Sequence, residues 1–404
     1  MKVGFPESVK KIFSIMAENG CECFLVGGCI RDIILGKHPK DWDFTTNAQP
    51  EQIIDIFTNK GYEVIPTGIK HGTVSVLISD ELYEITTYRI DGKYSDGRHP
   101  DIVKFTNSIT KDLQRRDFTI NSIAFNPQIG FVDPFGGRDD INNKVIRTTG
   151  KAIDRFTEDA LRMLRAIRFA SVLNFSVEDE TIEGIKKLAP SIEKISKERI
   201  ISEFGKILTN NSMVGISLLL NTGLLKHIIP QVGNVELNFF RTSPADKDIR
   251  LAGMLYDAKD DAFNILKSLK YDNETIDSVT TILKYADYNI NSKTYLKKII
   301  GKIGKDKAIK LFEFRIAMAE AKNNIAAANE NRDHIEYIKE VFAKNIPVSI
   351  KQLNINGDEL KKMGIPEGRK IGETLNYLME RVLENEELNN RETLIQIIEK
   401  ERLI

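Results

Sequence analysis

The sequence predicts an α+β protein, an N-terminal α/β head followed by a long all-α region. Two observations carry this. Residues 1–150 alternate short runs rich in Val, Ile, Thr and Tyr with helical runs, separated by glycines and turn clusters. After residue 150 the β signal nearly vanishes, and helical periodicity continues to the C-terminus with breaks at 243–248, 289–293 and 364–368. At 404 residues the chain has room for two to four domains. Its formal net charge is zero, so any surface that attracts nucleic acid must arise by segregation of charge along the chain. No apolar run approaches the roughly 18 residues of a membrane span. The first 20 residues read as a short amphipathic helix without a signal-peptide core, so the expected location is the cytoplasm.

The first predicted strand is "CFLV", 23–26, and the turn after it is Gly27-Gly28. Glycines between a strand and a helix let a phosphate approach the backbone. Arg31, one turn into the helix "CIRDIILG", can reach the same phosphate with two parallel hydrogen bonds. The segment is neither G-x-x-x-x-G-K-[ST] nor G-x-G-x-x-G. Cys21, Cys23 and Cys29 lie close together, but no histidine precedes His38 and a fourth zinc ligand is missing. They read as reduced core thiols.

The next strand, "DWDFTT" at 41–46, carries two carboxylates. Side chains alternate along a strand, so Asp41 and Asp43 share a face and Trp42 takes the other. Taken alone, such a pair is a solvated edge. Beside a phosphate turn it suits Mg²⁺, which binds through one or two carboxylates plus substrate phosphates. Further strands follow at 73–78 and 82–90.

Four segments then carry a resemblance: "GGCIRDIILGKHPKDWDFTT", "RRDFTINSIAFN" at 115–126, "VDPFGGRDDINNKVIRTTG" at 132–150 and "RFTEDALRMLRAIRFAS" at 155–171. In this order and spacing they resemble the motifs of the class II tRNA nucleotidyltransferases, the CCA-adding enzymes and their bacterial poly(A) polymerase relatives. The residues from Ile355 to Ile395 resemble the C-terminal region of bacterial members, while 230–345 match weakly. The resemblance implies a nucleotidyltransferase head with a mixed β-sheet at 1–150. A helical neck at 151–225, a helical body at 226–345 and a tRNA-binding tail at 346–404 would follow in an elongated all-α arrangement.

The implied chemistry is template-independent addition of C, C and A to a tRNA 3′ end from CTP and ATP, by a two-metal mechanism with release of pyrophosphate. Asp41 and Asp43 would hold Mg²⁺, with Glu84 as a third carboxylate. Gly28, Arg31 and Arg116 (or Arg115) would meet the triphosphate, and Asp117 and Asn121 the ribose. Asp159 and Arg162, three apart on a helix, would present one base-reading edge, supported by Arg165 and Arg168, which hold the pair or phosphates. That helix is expected to start at Glu158. An A-adding enzyme, a poly(A) polymerase and a non-catalytic RNA-binding protein on the same scaffold stand as alternatives.

The polar segment 89–106 reads as a mobile loop and resembles the one family members need for adding the final A. With only five histidines, and Tyr256 before Asp257, no phosphohydrolase site is expected. No aromatic-rich sheet is present to read RNA. Residues 293–310 hold seven lysines and one acid, with Ile and Leu at helical spacing. Lys297, Lys298 and Lys302 are therefore expected on a basic face toward tRNA phosphates, although such a face can also be merely solvated.

Overall fold

The computed structural model describes residues 4–92 and 102–401. The chain divides into two compact units, Met1–Pro230 and Gln231–Ile404. The expected head-to-neck junction at residue 150 falls inside the first unit, and Asp117 before it pairs with Arg165 after it.

The first unit opens with α1 (Glu7–Glu18), β1 (Cys23–Val26), α2 (Gly28–Ile34), β2 (Asp43–Thr46) and α3 (Pro50–Asn59). Strands β3 (Glu63–Gly68), β4 (Thr73–Ile78) and β5 (Glu81–Thr87) follow. Next come β6 (Arg89–Asp91), β7 (Val103–Phe105), α4 (Ile109–Gln114), β8 (Ala124–Asn126), β9 (Gly130–Val132), α5 (Gly137–Asn143) and β10 (Val145–Ile146). Seven strands form one mixed sheet in the order β3-β4-β5-β2-β1-β8-β9. Only β2 and β5 run parallel; the other neighbours are antiparallel.

Strand β2 begins at Asp43, so Asp41 lies before the ladder rather than in it, contrary to the strand expected from 41. Phe44 is buried against Phe13 and Tyr83, with ring centroids 5.4 and 6.4 Å away. Its ladder partner Ile85 is buried too. Alternation then puts Asp43 and its partner Glu84 on the opposite face, where both are exposed although Thr45 further along it is buried. The ends of the expected 89–106 loop are ordered as the antiparallel pair β6 and β7. Residues 93–101 of that segment lie outside the described residues.

The unit continues with α6 (Ala152–Glu158), α7 (Leu161–Leu173), β11 (Ser176–Val177), α8 (Asp179–Leu188), α9 (Lys197–Leu208), α10 (Ser212–Asn221) and α11 (Leu224–Ile228). The helix expected from Glu158 is two helices: α6 ends at Glu158 and α7 starts at Leu161. Between them Asp159 is extended, at φ −144° and ψ 106°. Its Oδ1 accepts from the Leu161 amide at 3.0 Å, and this local bond competes with helix continuation. Leu161, Leu164 and Ile167 face the core.

In the second unit the named elements are all helical: α12 (Leu237–Thr242), α13 (Lys247–Leu255), α14 (Ala262–Ser268), α15 (Asn273–Tyr285), α16 (Lys293–Ile303), α17 (Lys305–Ala321), α18 (Ile325–Ala343), α19 (Gly357–Lys362), α20 (Arg369–Glu384) and α21 (Arg391–Lys400). One apolar cluster gathers Leu296, Ile300, Phe312 and Ile338; another gathers Leu360, Leu378, Val382 and Leu394. No described helix is long and apolar enough to cross a membrane.

Candidate active site

A cleft of about 430 Å³ opens in the first unit. Gly27 and Gly28 form one wall. Gly27 has φ +79°, a left-handed conformation that favours glycine, and a Cβ there would lie 3.3 Å from Arg116 Nη1. A side chain at this turn would make the Arg116 guanidinium give way by a few tenths of an ångström. One turn into α2, Arg31 donates from Nη1 to Asn121 Oδ1 at 2.9 Å and from Nη2 to Asp32 Oδ1 at 2.7 Å.

Asp43 reaches the cleft, whereas Asp41 and Glu84 stand beside it without lining it. Asp43 sits on an exposed rim, yet protein crowds its carboxyl. This desolvation, followed by repulsion from Glu84 and Asp41, raises its pKa, while Arg116 opposes the rise. Carboxylates that disfavour one another's charge fit a divalent cation. Among the described residues no group of three or more His, Cys, Asp and Glu is gathered tightly enough to hold a metal ion alone. The oxygen set suits an ion that keeps waters and shares its coordination with substrate phosphates.

Arg115 and Arg116 both pair with the buried Asp112, at 2.8 and 3.3 Å. Asp112 also accepts from Thr45 of β2 at 3.3 Å, so it ties the arginines to the strand that bears Asp43. The next residue, Asp117, accepts from Arg165 Nη2 at 2.6 Å, from Asn121 Nδ2 at 3.1 Å and from the Phe118 amide at 2.9 Å. Asp117 and Asn121 thus occur together in the cleft.

Asp159 and Arg162 also line the cleft, but they are not paired through their side chains with each other. Arg162 donates to Glu158 Oε2 at 2.6 Å and to the carbonyls of Arg115 and Arg155. Asp159 is held instead by Arg199 Nη2, 2.7 Å from its Oδ2. Arg199, on α9, was missed by sequence reading; it lies 40 positions from its partner and no local pattern announces it. Arg165 serves Asp117. Arg168 does not line the cleft and pairs with Glu203, 2.5 Å from its Oε2.

The basic face of the second unit is corrected at one position. Lys297 is 5% exposed, between Leu296 and Ile300 on the buried side of α16, and its Nζ lies 3.8 Å from Glu386. A buried ammonium paired with a carboxylate is not available to phosphate. Lys298 and Lys302 line a groove of about 790 Å³ with Lys351, and Lys298 pairs with Glu380 at 2.8 Å.

Family models match along most of the chain. The "Poly A polymerase head domain" covers residues 23–147, the "Probable RNA and SrmB- binding site of polymerase A" 174–234, and "tRNA nucleotidyltransferase domain 2" 250–398. A CCA-adding enzyme of Geobacillus kaustophilus is 33% identical over 98% of this chain and 96% of its own. One of Ligilactobacillus salivarius is 35% identical over 98% and 97%. The chain belongs to the class II tRNA nucleotidyltransferase family. Among solved members of this family, the Bacillus stearothermophilus CCA-adding enzyme in complex with CTP superposes with a TM-score of 0.82 at 30% identity, covering 98% of both chains. The Thermotoga maritima CCA-adding enzyme complexed with tRNA-CCA shares the fold, with a TM-score of 0.71 at 21% identity over 98% of this chain and 96% of its own. Membership in this nucleotidyltransferase family implies dependence on a divalent metal.

Proposed function

We propose that this chain is a CCA-adding tRNA nucleotidyltransferase that uses CTP and ATP with Mg²⁺. The observation that carries the reading is one cleft that brings Asp43 and the Gly27-Gly28 turn together with Asp159 and Arg162. Transfer chemistry and base choice therefore share one site. The 3′-hydroxyl of tRNA attacks the α-phosphorus, a P–O bond forms, and the bond to pyrophosphate breaks as the hydroxyl loses its proton. Mg²⁺, held by Asp41 and Asp43 with Glu84 alongside, would lower the charge cost at the attacking and leaving oxygens. Arg116 and the turn at Gly28 hold the triphosphate, with Arg31 beside them. Asp117 and Asn121 meet the ribose. Lys298 and Lys302 meet tRNA phosphates.

Base choice follows from hydrogen-bond polarity. Cytosine and adenine each offer an amine donor beside a ring-nitrogen acceptor, while uracil and guanine offer a carbonyl beside a ring N–H. A carboxylate accepts from the amine and a guanidinium donates to the ring nitrogen, so Asp159 and Arg162 accept C and A and reject U and G. The CCA-adding activity named for the relatives supports this reading.

The test is incubation with tRNA lacking its 3′ end, or ending in C or CC, with labelled CTP and ATP. Completion to CCA and then arrest is expected. Incorporation of ATP alone would mark an A-adding enzyme, and long A tails a poly(A) polymerase.

A further inference from the structure

The ring of Phe169 lies where three guanidiniums converge. Arg168 is 3.8 Å from its centroid, Arg31 5.3 Å and Arg165 5.5 Å. The ring is 5% exposed and lines the cleft. It also meets the fully buried Phe118 edge-on, with centroids 5.6 Å apart at 79°. Phe118 directly follows Asp117.

Two of these guanidiniums are the ends of one hydrogen-bonded chain. Arg31 donates to Asn121 at 2.9 Å, Asn121 donates to Asp117 at 3.1 Å, and Arg165 donates to Asp117 at 2.6 Å. Both ends of the chain return to the same ring, so Phe169 closes a loop around the two groups proposed for the ribose. Three like charges in this space repel one another. Asp32, Asp117 and Glu203 offset them from one side each. The negative face of an aromatic ring adds attraction that an aliphatic side chain of similar size lacks.

We propose that Phe169 is a positioning residue for ribose selection: its ring holds Arg31 and Arg165 where they aim Asn121 and Asp117 at the sugar hydroxyls. The inference rests on the reading of Asp117 and Asn121 as ribose ligands. Its consequence is that preference for CTP over dCTP depends on the electron density of the ring and not only on its shape. A 2′-hydroxyl is selected by polar groups placed to hydrogen-bond it, and this works only if those groups are held still.

The experiment replaces Phe169 in the full chain with phenylalanines of rising fluorine content, which drain the ring face at nearly constant volume. The readout is kcat/KM for CTP and for dCTP on tRNA ending in its first C, beside thermal unfolding. The ratio of CTP to dCTP is expected to fall with each fluorine, by about tenfold at full fluorination, with little change in Tm. Phe169→Tyr should keep the parental ratio and Phe169→Leu should lose it. If the leucine variant fails to fold, the fluorine series still decides. A wild type that transfers nothing overturns the functional reading and this inference together, whereas one that uses CTP and dCTP alike overturns this inference and leaves CCA addition standing. A wild type with that preference and a fluorine series that keeps it overturns this inference alone.

Discussion

Asp43 and Glu84, 41 positions apart in sequence, are direct partners across the parallel ladder of β2 and β5. Both point away from the core because Phe44 and Ile85, the next pair along, are buried. Asp41→Ala or Asp43→Ala is expected to lower single-turnover transfer by about three decades or more, because several kcal/mol of charge stabilisation would be lost. tRNA affinity should stay within about twofold. Filter binding and quenched-flow transfer read the two effects separately. Near-parental turnover at saturating Mg²⁺ would contradict the assignment of these carboxylates.

Burial pushes the Asp117 carboxyl up, but the Arg165 guanidinium, with hydrogen bonds from Arg165 and Asn121, outweighs it and holds the pKa at about 2. A folded value below the unfolded one, about 3.9, contributes stability that is full above pH 4 or so. That contribution is lost as pH falls toward 2. In Arg165→Met burial acts with less opposition, so the Asp117 pKa should rise. The stability deficit of this variant is expected to be largest at pH 7 and to shrink on acidification. Denaturant unfolding at several pH values measures it; a deficit independent of pH would refute the coupling.

Arg199→Ala is expected to weaken discrimination between CTP and UTP in the same direction as loss of Asp159, but less, since it removes the group that orients the base reader and not the reader. Competition between the two triphosphates on one tRNA gives the ratio directly. An unchanged ratio would leave Arg199 as a structural ion pair only.

Lys298→Glu with Lys302→Glu is expected to weaken tRNA binding and to flatten its salt dependence by about one unit of slope per lost phosphate contact. Lys297→Met should leave the slope untouched and act on stability, because that ammonium is already buried beside Glu386. Binding isotherms across a salt series separate the three lysines. If the Lys297 variant changed the slope as the others do, the assignment of faces on α16 would be wrong.

Much of the head was legible because its signals are local. The β-branched runs gave β1, β2, β4 and β5, and the paired glycines marked the turn before α2. Strand β3 escaped notice because it is an edge strand with Pro66 and no fully buried side chain. Strands β8 and β9 have three residues each, too few for alternation to register. The break at Asp159 was hidden because Glu158 and Asp159 suit the first turn of a helix as well as they suit a link between two. The pairing of Asp159 with Arg199 spans 40 positions, and no periodicity encodes it. Lys297 was decipherable in principle: it stands beside Leu296 and three before Ile300, both buried, so helical spacing alone places it toward the core.

The central claim is that the cleft which performs transfer also chooses the base. The most direct test is kcat/KM for all four triphosphates in the wild type and in Asp159→Ala, at fixed Mg²⁺ on one tRNA ending in its first C. A wrong base sets its carbonyl against the carboxylate and its ring N–H against the guanidinium, at a cost of roughly 1–3 kcal/mol each. The wild type is expected to prefer CTP over UTP and GTP by at least tenfold, and the variant to lose most of that preference while still requiring Mg²⁺. A variant that kept the parental ratio of CTP to UTP would contradict the claim.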